Sequence, residues 1–433
     1  MSTQKTHLGL LMFVVGLFSE TQIQLIGSIG ISELVMVLCS PFFYFFNLGL
    51  LRRDGVLMFV RLIALALIGC VISSLYNDIS LLNFMRGFAT PFGWLASCLF
   101  FYPVVRRDPK SFAWYLLGGA FSAVLTTFVF HGAYEMLEAE SRGGGSQAIM
   151  EGAIYWTGRI RPFVNWPIEG FYMKTPVVYS VAAPAIFAVY ALMSTASGRS
   201  QALLSVASVF LIAFIRKDVT KMKALRRHVV VLFFGGLVCA LAFKAVYSHL
   251  AVSGHLGEIA KAKYESQTRG GTSAFELLRE GRGELFRGMY YCAHHPIMGY
   301  GPWAIDKERL YVDYVEKYGV GDDYLSVVNS LLANGGRYVI VGAHSAMLQF
   351  WLAYGILGMP VWIYVFYLIY DFFTKRIGAV PELYGYFAIV LPSVLWEIFF
   401  SPFGNRLHWG LVMAMLLLNR SIARDRKHYQ CLS

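Results

Sequence analysis

The sequence predicts an all-α, polytopic integral membrane protein, on the strength of its composition and its hydropathy pattern. Hydrophobic residues make up 57% of the 433 residues and charged residues only 15%, whereas a soluble domain carries about 25% charged residues. The apolar residues fall in runs of about twenty, the length that spans a bilayer as a helix. We therefore expect one membrane domain over residues 1–433.

Nine apolar runs are candidate membrane spans. They cover residues 8–28, 32–50, 56–75, 82–104, 111–131, 229–248, 357–373, 383–400 and 406–420. Two hydrophilic stretches separate them, residues 132–172 and 249–343, and we expect each to form a long loop outside the bilayer.

Basic residues between the runs predict the orientation. They cluster at Arg52-Arg53, from Arg106 to Lys110, from Arg216 to Arg227, at Lys375-Arg376 and from Arg420 to Lys427. Because cytoplasmic links are enriched in Lys and Arg, we expect both termini in the cytoplasm and both long loops on the other side. The net charge of +11 is spread over these links, so the sequence indicates contact with membrane lipids and argues against nucleic-acid binding.

Residues 173–215 hold two apolar runs, 175–195 and 201–215, where the predicted orientation requires an odd number of crossings. Pro176 and Pro184 interrupt the first run, and proline breaks helices. We therefore expect 175–195 to be re-entrant from the outer side, which places Arg199 near the outer face. The alternative is a plain hairpin with Arg199 in the cytoplasm.

Four charged residues in or beside the spans, Glu33, Arg86, Lys244 and Glu397, are expected to gather at the outer side of the bilayer. A charge at that depth is costly unless it is paired or hydrated. Snorkelling to the interface explains Lys244 without a function. For Arg86 and Glu397, a polar cavity open to the outside is an equal alternative.

The cysteines predict neither a disulfide framework nor a metal site. Four of the six lie inside apolar runs, and no two of the six form a CxxC pair. A thiolate metal site is therefore not expected.

Arginines stand in two short motifs and in one further loop. Ser-Gly-Arg-Ser-Gln at 197–201 places Arg199 in a turn of small residues, and Arg282 is followed four residues later by Phe286. Arg161 lies in the other long loop. Arginine stays protonated when partly buried and forms paired hydrogen bonds to phosphate, so these positions suit an anionic ligand. Interfacial salt bridges or contacts with lipid phosphates are the alternative.

A glycine turn and a histidine complete the pattern. Pro296, Gly299 and Gly301 form a Pro-x2-Gly-x-Gly turn, in which glycine permits unusual backbone angles or a close approach. About forty residues later, His344 and Ser345 precede an apolar run that carries a further glycine pair, Gly355 and Gly358.

Together these motifs resemble the O-antigen ligase and polymerase superfamily of bacterial inner-membrane glycosyltransferases. The resemblance covers the second half of the chain, while the first half matches only as a series of spans. Two positions depart from the family pattern, since Gly198 stands where a serine is usual and Phe286 where a tryptophan is usual. The resemblance implies a GT-C-like fold with about 10–12 transmembrane helices, both termini cytoplasmic, and an active site on the periplasmic side.

The resemblance also implies a reaction. A glycan is transferred from a polyprenyl-pyrophosphate carrier to an acceptor sugar hydroxyl, on lipid A-core in a ligase or on a lipid-linked glycan in a polymerase. Neither a cofactor nor a metal is implied. Arg282, Arg199 and Arg161 are expected to bind the pyrophosphate, with Arg159 and Arg287 as weaker candidates.

His344 is the expected general base, since a histidine titrates near neutral pH and an acceptor hydroxyl must lose its proton as it attacks. A helix-capping or interfacial histidine is the alternative, and His294 and His295 are rival bases. Gly299 and Gly301, together with Arg86 and Glu397, are expected in supporting roles.

Two other function classes fit a polytopic chain, a polysaccharide flippase or transporter and a non-catalytic subunit of an export assembly. No inverted repeat relates the two halves of the sequence, although many transporter folds have one. Within the enzyme class, ligase and polymerase stay open, with a slight lean toward a polymerase.

Overall fold

The computed structural model describes residues 2–19, 21–24, 28–125, 249–250, 252–254, 283–318, 340–373, 384–401, 403 and 406–432. These residues are mostly helical. The expected outer loop 132–172, the region 173–215 and the apolar run 229–248 lie outside them, as does most of the stretch 249–282.

Eight elements precede residue 126. They are α1 (Ser2–Leu17), β1 (Gln22–Gln24), β2 (Ser28–Gly30), α2 (Ile31–Phe46), α3 (Leu48–Arg53), α4 (Val56–Tyr76), α5 (Leu81–Arg107) and α6 (Ser111–Leu125). Among the described residues after 282 there are six helices, namely α7 (Gly283–His294), α8 (Leu310–Tyr318), α9 (Ala346–Tyr354), α10 (Met359–Asp371), α11 (Tyr384–Phe400) and α12 (Arg406–Leu432). A 3-10 turn, Gly355–Gly358, joins α9 to α10.

Three helical stretches among the described residues are long and apolar enough to cross a membrane. They are Val56–Tyr76, Leu81–Arg107 and the continuous run Ala346–Asp371. Shorter apolar helices accompany them, at His7–Leu17, Ile31–Phe46 and Val390–Phe400. The described residues thus bear out a mostly helical chain that contains candidate membrane spans.

Two expected span boundaries differ from the structure. The run 8–28 is not one helix, because α1 ends at Leu17 and residues 22–24 and 28–30 form an antiparallel hairpin that pairs Ile23 with Ile29. Thr21, Gln22 and Gln24 bring polar side chains that a lipid-facing helix does not favour. The run 357–373 is too short, since the helical stretch begins eleven residues earlier, at Ala346.

Helix α5 is the central element and packs against α2, α4 and α12. Its Trp94 is fully buried, donates a hydrogen bond from Nε1 to the carbonyl of Trp409 at 3.0 Å, and contacts the rings of Phe350 and Phe403. The helix continues through two prolines, Pro91 and Pro103. Proline therefore does not break the helix at these two positions.

The first and sixth helices approach each other through glycines. A Cβ on Gly16 would lie 2.2 Å from the carbonyl oxygen of Tyr115, and one on Gly118 would lie 2.2 Å from that of Phe13. Small residues allow this close backbone packing between apolar helices.

Asp54 joins the basic ends of several helices. Its buried carboxylate accepts hydrogen bonds from Tyr102 Oη at 2.7 Å, from Arg106 Nε at 3.1 Å and from Arg424 Nη2 at 3.1 Å. Burial alone raises the pKa of this carboxyl, but the hydrogen bonds from Tyr102 and Arg106 and the charge of Arg106 outweigh it and hold the pKa below its usual value. The start of α4, the end of α5 and the C-terminal part of α12 therefore meet around Asp54.

Candidate functional site

Part of the long loop folds as a compact layer on α9. Tyr291, Tyr300 and Tyr311 are buried together with Val341 and Leu352. The amide of Val341 donates to the carbonyl of Ala304 at 2.8 Å, so the two described segments of the loop, 283–318 and 340–343, meet beside the start of α9. The loop that sequence reasoning expected to carry site residues is thus held against a candidate span.

The glycine turn is clamped to the end of α9. The amides of Tyr300 and Gly301 donate to the carbonyl of Leu352 at 2.7 and 3.2 Å, and Ile356 donates to the carbonyl of Ile297 at 2.8 Å. The last carbonyls of a helix have no partner within it, so the turn satisfies one that α9 leaves open. Gly299 and Gly301 have φ of +66° and +84°, values that favour glycine.

The same turn is fixed to α4 and α5. Asn77 Nδ2 donates to the carbonyl of Gly299 at 3.2 Å, and Asn83 Nδ2 donates to that of Trp303 at 3.3 Å. A Cβ on Gly87 would lie 2.2 Å from Cβ of Pro302, so α5 and the turn are in close contact. The turn therefore links three helices at one end of the bundle.

His344 lies immediately before the first turn of α9. Ser345 is the N-cap, and its Oγ accepts a hydrogen bond from the amide of Leu348 at 3.2 Å. The same hydroxyl donates to the carbonyl of Ile398 in α11 at 2.7 Å. Since Ser345 is buried and held from two helices, the backbone of His344 is fixed while its side chain is 56% exposed.

Glu284 faces His344 across the gap between α7 and α9. Oε2 of Glu284 lies 2.6 Å from Nε2 of His344, and the Glu284 side chain is 39% exposed. The pair brings a carboxylate to an imidazole that sequence reasoning had assigned to proton transfer. Sixty residues separate the two along the chain.

A cavity of about 300 Å³ opens beside His344. Its lining includes Arg287 from α7, Gly301 and Trp303 from the glycine turn, His344 itself and Thr90 from α5. Phe350 and Phe403, which pack on Trp94, form part of its apolar wall. Within this described lining, Arg287 carries the formal positive charge and His344 contributes an imidazole.

Arg287 is supported by aromatic residues. Its guanidinium carbon lies 5.1 Å from the ring centre of Tyr311, a distance at which a cation is attracted to the ring face. Tyr291 donates from Oη to Asp306 at 2.8 Å, and Asp306 accepts the amides of Leu310 and Tyr311 at 3.0 and 2.8 Å. The buried Asp306 thus holds the start of α8, and with it the Tyr311 ring.

Trp303 forms an exposed aromatic surface at the cavity. Its side chain is 51% exposed and its φ is +55°, a backbone conformation that is costly for a large residue and is often found at functional sites. The guanidinium carbon of Arg86 lies 6.0 Å from the ring centre. Arg86, which is expected near an outer polar cavity, thus contacts the ring of Trp303, and Trp303 lines the cavity.

The remaining expected residues are placed as follows. Glu397 is partly buried in α11, next to Ile398, whose carbonyl holds Ser345. Glu33 forms an ion pair with Arg406 at 2.9 Å. Three arginines expected to bind pyrophosphate, Arg282, Arg199 and Arg161, lie outside the described residues, as does Lys244.

The sequence motifs single out neither Glu284 nor Trp303, and they make Arg287, which lines the cavity, a weaker candidate. Glu284 and Arg287 are three residues apart, a spacing that places two side chains on one helix face. That signal was available within the string from Arg282 to Pro302. Trp303, which directly follows the glycine turn, carried no local signal beyond its residue type.

The site suits proton transfer beside an anion. Among the described residues, no group of three or more His, Cys, Asp or Glu side chains is arranged to hold a metal ion. The described groups offer a guanidinium, an imidazole paired with a carboxylate, and an aromatic face. The chain matches no model of a known protein family, and no curated protein or solved structure is detectably similar to it.

Proposed function

We propose that the protein is a membrane glycosyltransferase of the O-antigen ligase and polymerase type. It transfers a glycan from a polyprenyl-pyrophosphate donor to an acceptor sugar hydroxyl. One observation carries the proposal: His344 and Arg287 line the same cavity at one end of the helical bundle. Two positions of the motifs that resemble this superfamily, Gly301 and His344, line that cavity.

Arg287 is suited to the leaving group. A lipid pyrophosphate develops negative charge as its bond to the sugar breaks, and fixed positive groups stabilise that charge. A guanidinium binds two phosphate oxygens at once and stays charged in a partly buried site. Arg282 directly precedes α7, the helix that carries Arg287, and we propose that Arg282, Arg199 and Arg161 join it around the pyrophosphate.

Trp303 is suited to the glycan. An exposed indole offers an apolar face against the C–H face of a sugar ring and a polar edge toward its hydroxyls. Trp303 lines the same cavity as Arg287 and His344, which supports this role. Arg86 on the same indole adds a second cation near the expected donor.

His344 is the proposed general base. The acceptor hydroxyl gives its proton to the imidazole, its oxygen bonds to the anomeric carbon of the donor, and the bond from that carbon to the pyrophosphate breaks. The electron pair of the broken bond leaves with the polyprenyl pyrophosphate, beside the arginines. His344 then returns its proton to solvent, which its exposed side chain allows.

The cavity is proposed to face the periplasm of a bacterial inner membrane. Asp54 and its arginines lie at the start of α4, whereas Asn77, directly after its end, contacts the glycine turn. A helix of 21 residues is about 30 Å long, enough to cross the hydrocarbon core. Since basic clusters favour the cytoplasm, the opposite end, with His344, faces outward in a polytopic arrangement of about 10–12 helices.

The test is a transfer assay with purified protein in lipid nanodiscs. The donor is a polyprenyl-pyrophosphate oligosaccharide, given alone or with lipid A-core, and product is followed by gel mobility and mass. A ladder from the donor alone identifies a polymerase, and product that requires lipid A-core identifies a ligase. Donor that crosses the bilayer of a vesicle without transfer identifies a flippase. A folded protein that neither transfers the glycan nor moves the donor across the bilayer contradicts the proposal. That result favours a non-catalytic subunit.

A further inference from the structure

We infer that Glu284 is the positioning residue for His344, and that it leaves Nδ1 of His344 as the atom that takes the acceptor proton. The inference rests on the proposed function and adds to it a residue and an atom. It starts from the 2.6 Å distance between Glu284 Oε2 and His344 Nε2.

The position of Glu284 is set by the packing of α7. Gly288 lies one turn after Glu284 on the same helix face, and a Cβ there would lie 2.5 Å from Cβ of Ala343. At Gly288, helix α7 therefore packs directly against Ala343, the residue before His344. This contact holds the first turn of α7 against the start of α9, where Glu284 reaches His344.

A hydrogen bond across this 2.6 Å contact selects one form of the imidazole in the proposed scheme. With the proton on Nε2, that nitrogen donates to the Glu284 carboxylate, and the lone pair of Nδ1 is available to accept a proton. When Nδ1 takes the proton of the acceptor hydroxyl, the carboxylate stabilises the positive charge that forms. A carboxylate that orients an imidazole in this way does not itself take up the proton.

Glu284 acts through His344 in this scheme. The described lining of the cavity includes His344 and Arg287 but not Glu284. An ordinary exposed ion pair is the competing account, and such pairs contribute about 0–1 kcal/mol to stability with no role in catalysis. The two accounts differ in what a neutral, isosteric replacement does to turnover.

The molecule offers a matched control for that replacement. Oε1 of Glu308 lies 2.9 Å from Nε2 of His295. This pair belongs to the same loop layer and is also partly exposed. Glu308→Gln removes the same charge from the same kind of pair, but beside a histidine outside the described cavity lining.

The experiment measures transfer kinetics of Glu284→Gln, Glu308→Gln, His344→Ala and the double variant His344→Ala with Glu284→Gln. We expect Glu284→Gln to lower kcat about ten- to hundredfold, by analogy with the loss of a carboxylate that orients a metal-bound histidine, with KM for the donor unchanged. Glu308→Gln should match the wild type. In the His344→Ala background, Glu284→Gln should have no further effect.

A kcat for Glu284→Gln equal to that of Glu308→Gln overturns the inference, and so do additive losses in the double variant. Transfer by the wild type with such a result leaves the proposed function intact. A second readout needs no glycan: the 15N spectrum of histidine-labelled protein, with the His344 signal assigned by its loss in His344→Ala. The inference expects the Nε2–H form in the wild type and loss of that preference in Glu284→Gln, and an Nδ1–H form overturns it.

Discussion

The carbonyl oxygen of Leu352 accepts a hydrogen bond from the amide of Tyr300 at 2.7 Å. This bond joins the end of α9 to the glycine turn, and so connects the helix that follows His344 with the segment that carries Trp303. Trp351 adds a second link, from its Nε1 to the carbonyl of Pro296 at 2.7 Å. The relative positions of the expected base and the expected glycan surface depend on these bonds.

Gly299→Ala should break this connection. An added Cβ would lie 2.5 Å from the carbonyl oxygen of Leu352, and φ at this position is +66°, so both contact and backbone oppose it. We expect a loss of about 1–3 kcal/mol in stability and a loss of transfer. Thermal unfolding in detergent measures the first. Gly49→Ala is the control, since nothing lies within 4 Å of its added Cβ, and equal stability of both variants would contradict the clamp.

Arg287→Ala should weaken the binding of the donor. Hydrogen bonds to charged groups contribute about 1.5–3 kcal/mol, so we expect KM for the donor to rise about ten- to hundredfold. Arg287→Lys should lie between this variant and the wild type, because an ammonium keeps the charge but cannot bind two oxygens in a plane. Lys307→Ala removes an exposed positive charge from the same loop and should leave KM unchanged. Equal effects of Lys307→Ala and Arg287→Ala would reduce the role of Arg287 to general electrostatics.

Trp303→Ala should raise KM for the donor about three- to tenfold, as aromatic contacts contribute about 0.5–1.5 kcal/mol beyond the buried area. Trp303→Phe should retain most of the affinity, because it keeps an aromatic face. Ile305→Ala, at an exposed position two residues later, serves as the control. If Trp303→Ala binds the donor as tightly as the control, the indole is an interfacial anchor only.

Tyr291→Phe should destabilise the loop layer. Burial and the nearby Asp306 raise the pKa of Tyr291 well above its usual value, so its hydroxyl remains a donor to Asp306 in the folded protein. Removing a donor from a buried carboxylate costs about 1–3 kcal/mol. Tyr318→Phe, at an exposed position on α8, should cost nothing measurable.

The same pair predicts a pH dependence. The folded pKa of Tyr291 exceeds the usual value of 10.0, so its contribution to stability is complete below about pH 10 and is lost as the pH rises further. Between pH 9 and pH 11 the melting temperature of Tyr291→Phe should therefore fall by less than that of the wild type. An unchanged alkaline fall would show that another group causes it.

The local features of the site could be predicted from the sequence. An apolar run after His344 indicated a helix that begins there, and Ser345 is a favoured N-cap residue. The positive φ values of Gly299 and Gly301 agree with the expected turn. Each of these features depends on neighbours within a few positions along the chain.

The tertiary features could not be predicted in this way. Glu284 and His344 meet where Gly288 allows α7 to pack closely against Ala343, and a single sequence carries no sign of that contact. The hairpin after α1 is not predicted, because Ile23, Leu25 and Ile26 read as part of an apolar run, although Gln22 and Gln24 flank Ile23. Pairing of Glu33 with Arg406 likewise depends on which helices pack together.

The most direct test of the central claim is photo-cross-linking of a donor analogue. A polyprenyl-pyrophosphate sugar with a diazirine on its first sugar ring is irradiated with the protein in nanodiscs, and modified peptides are identified by mass spectrometry. The proposed site predicts modification within residues 301–303 and 340–344, which line the cavity, and competition by unmodified donor. His344→Ala should still be labelled, since the base is not needed for donor binding. Labelling that leaves both segments unmodified while other parts of the chain react specifically would contradict the account.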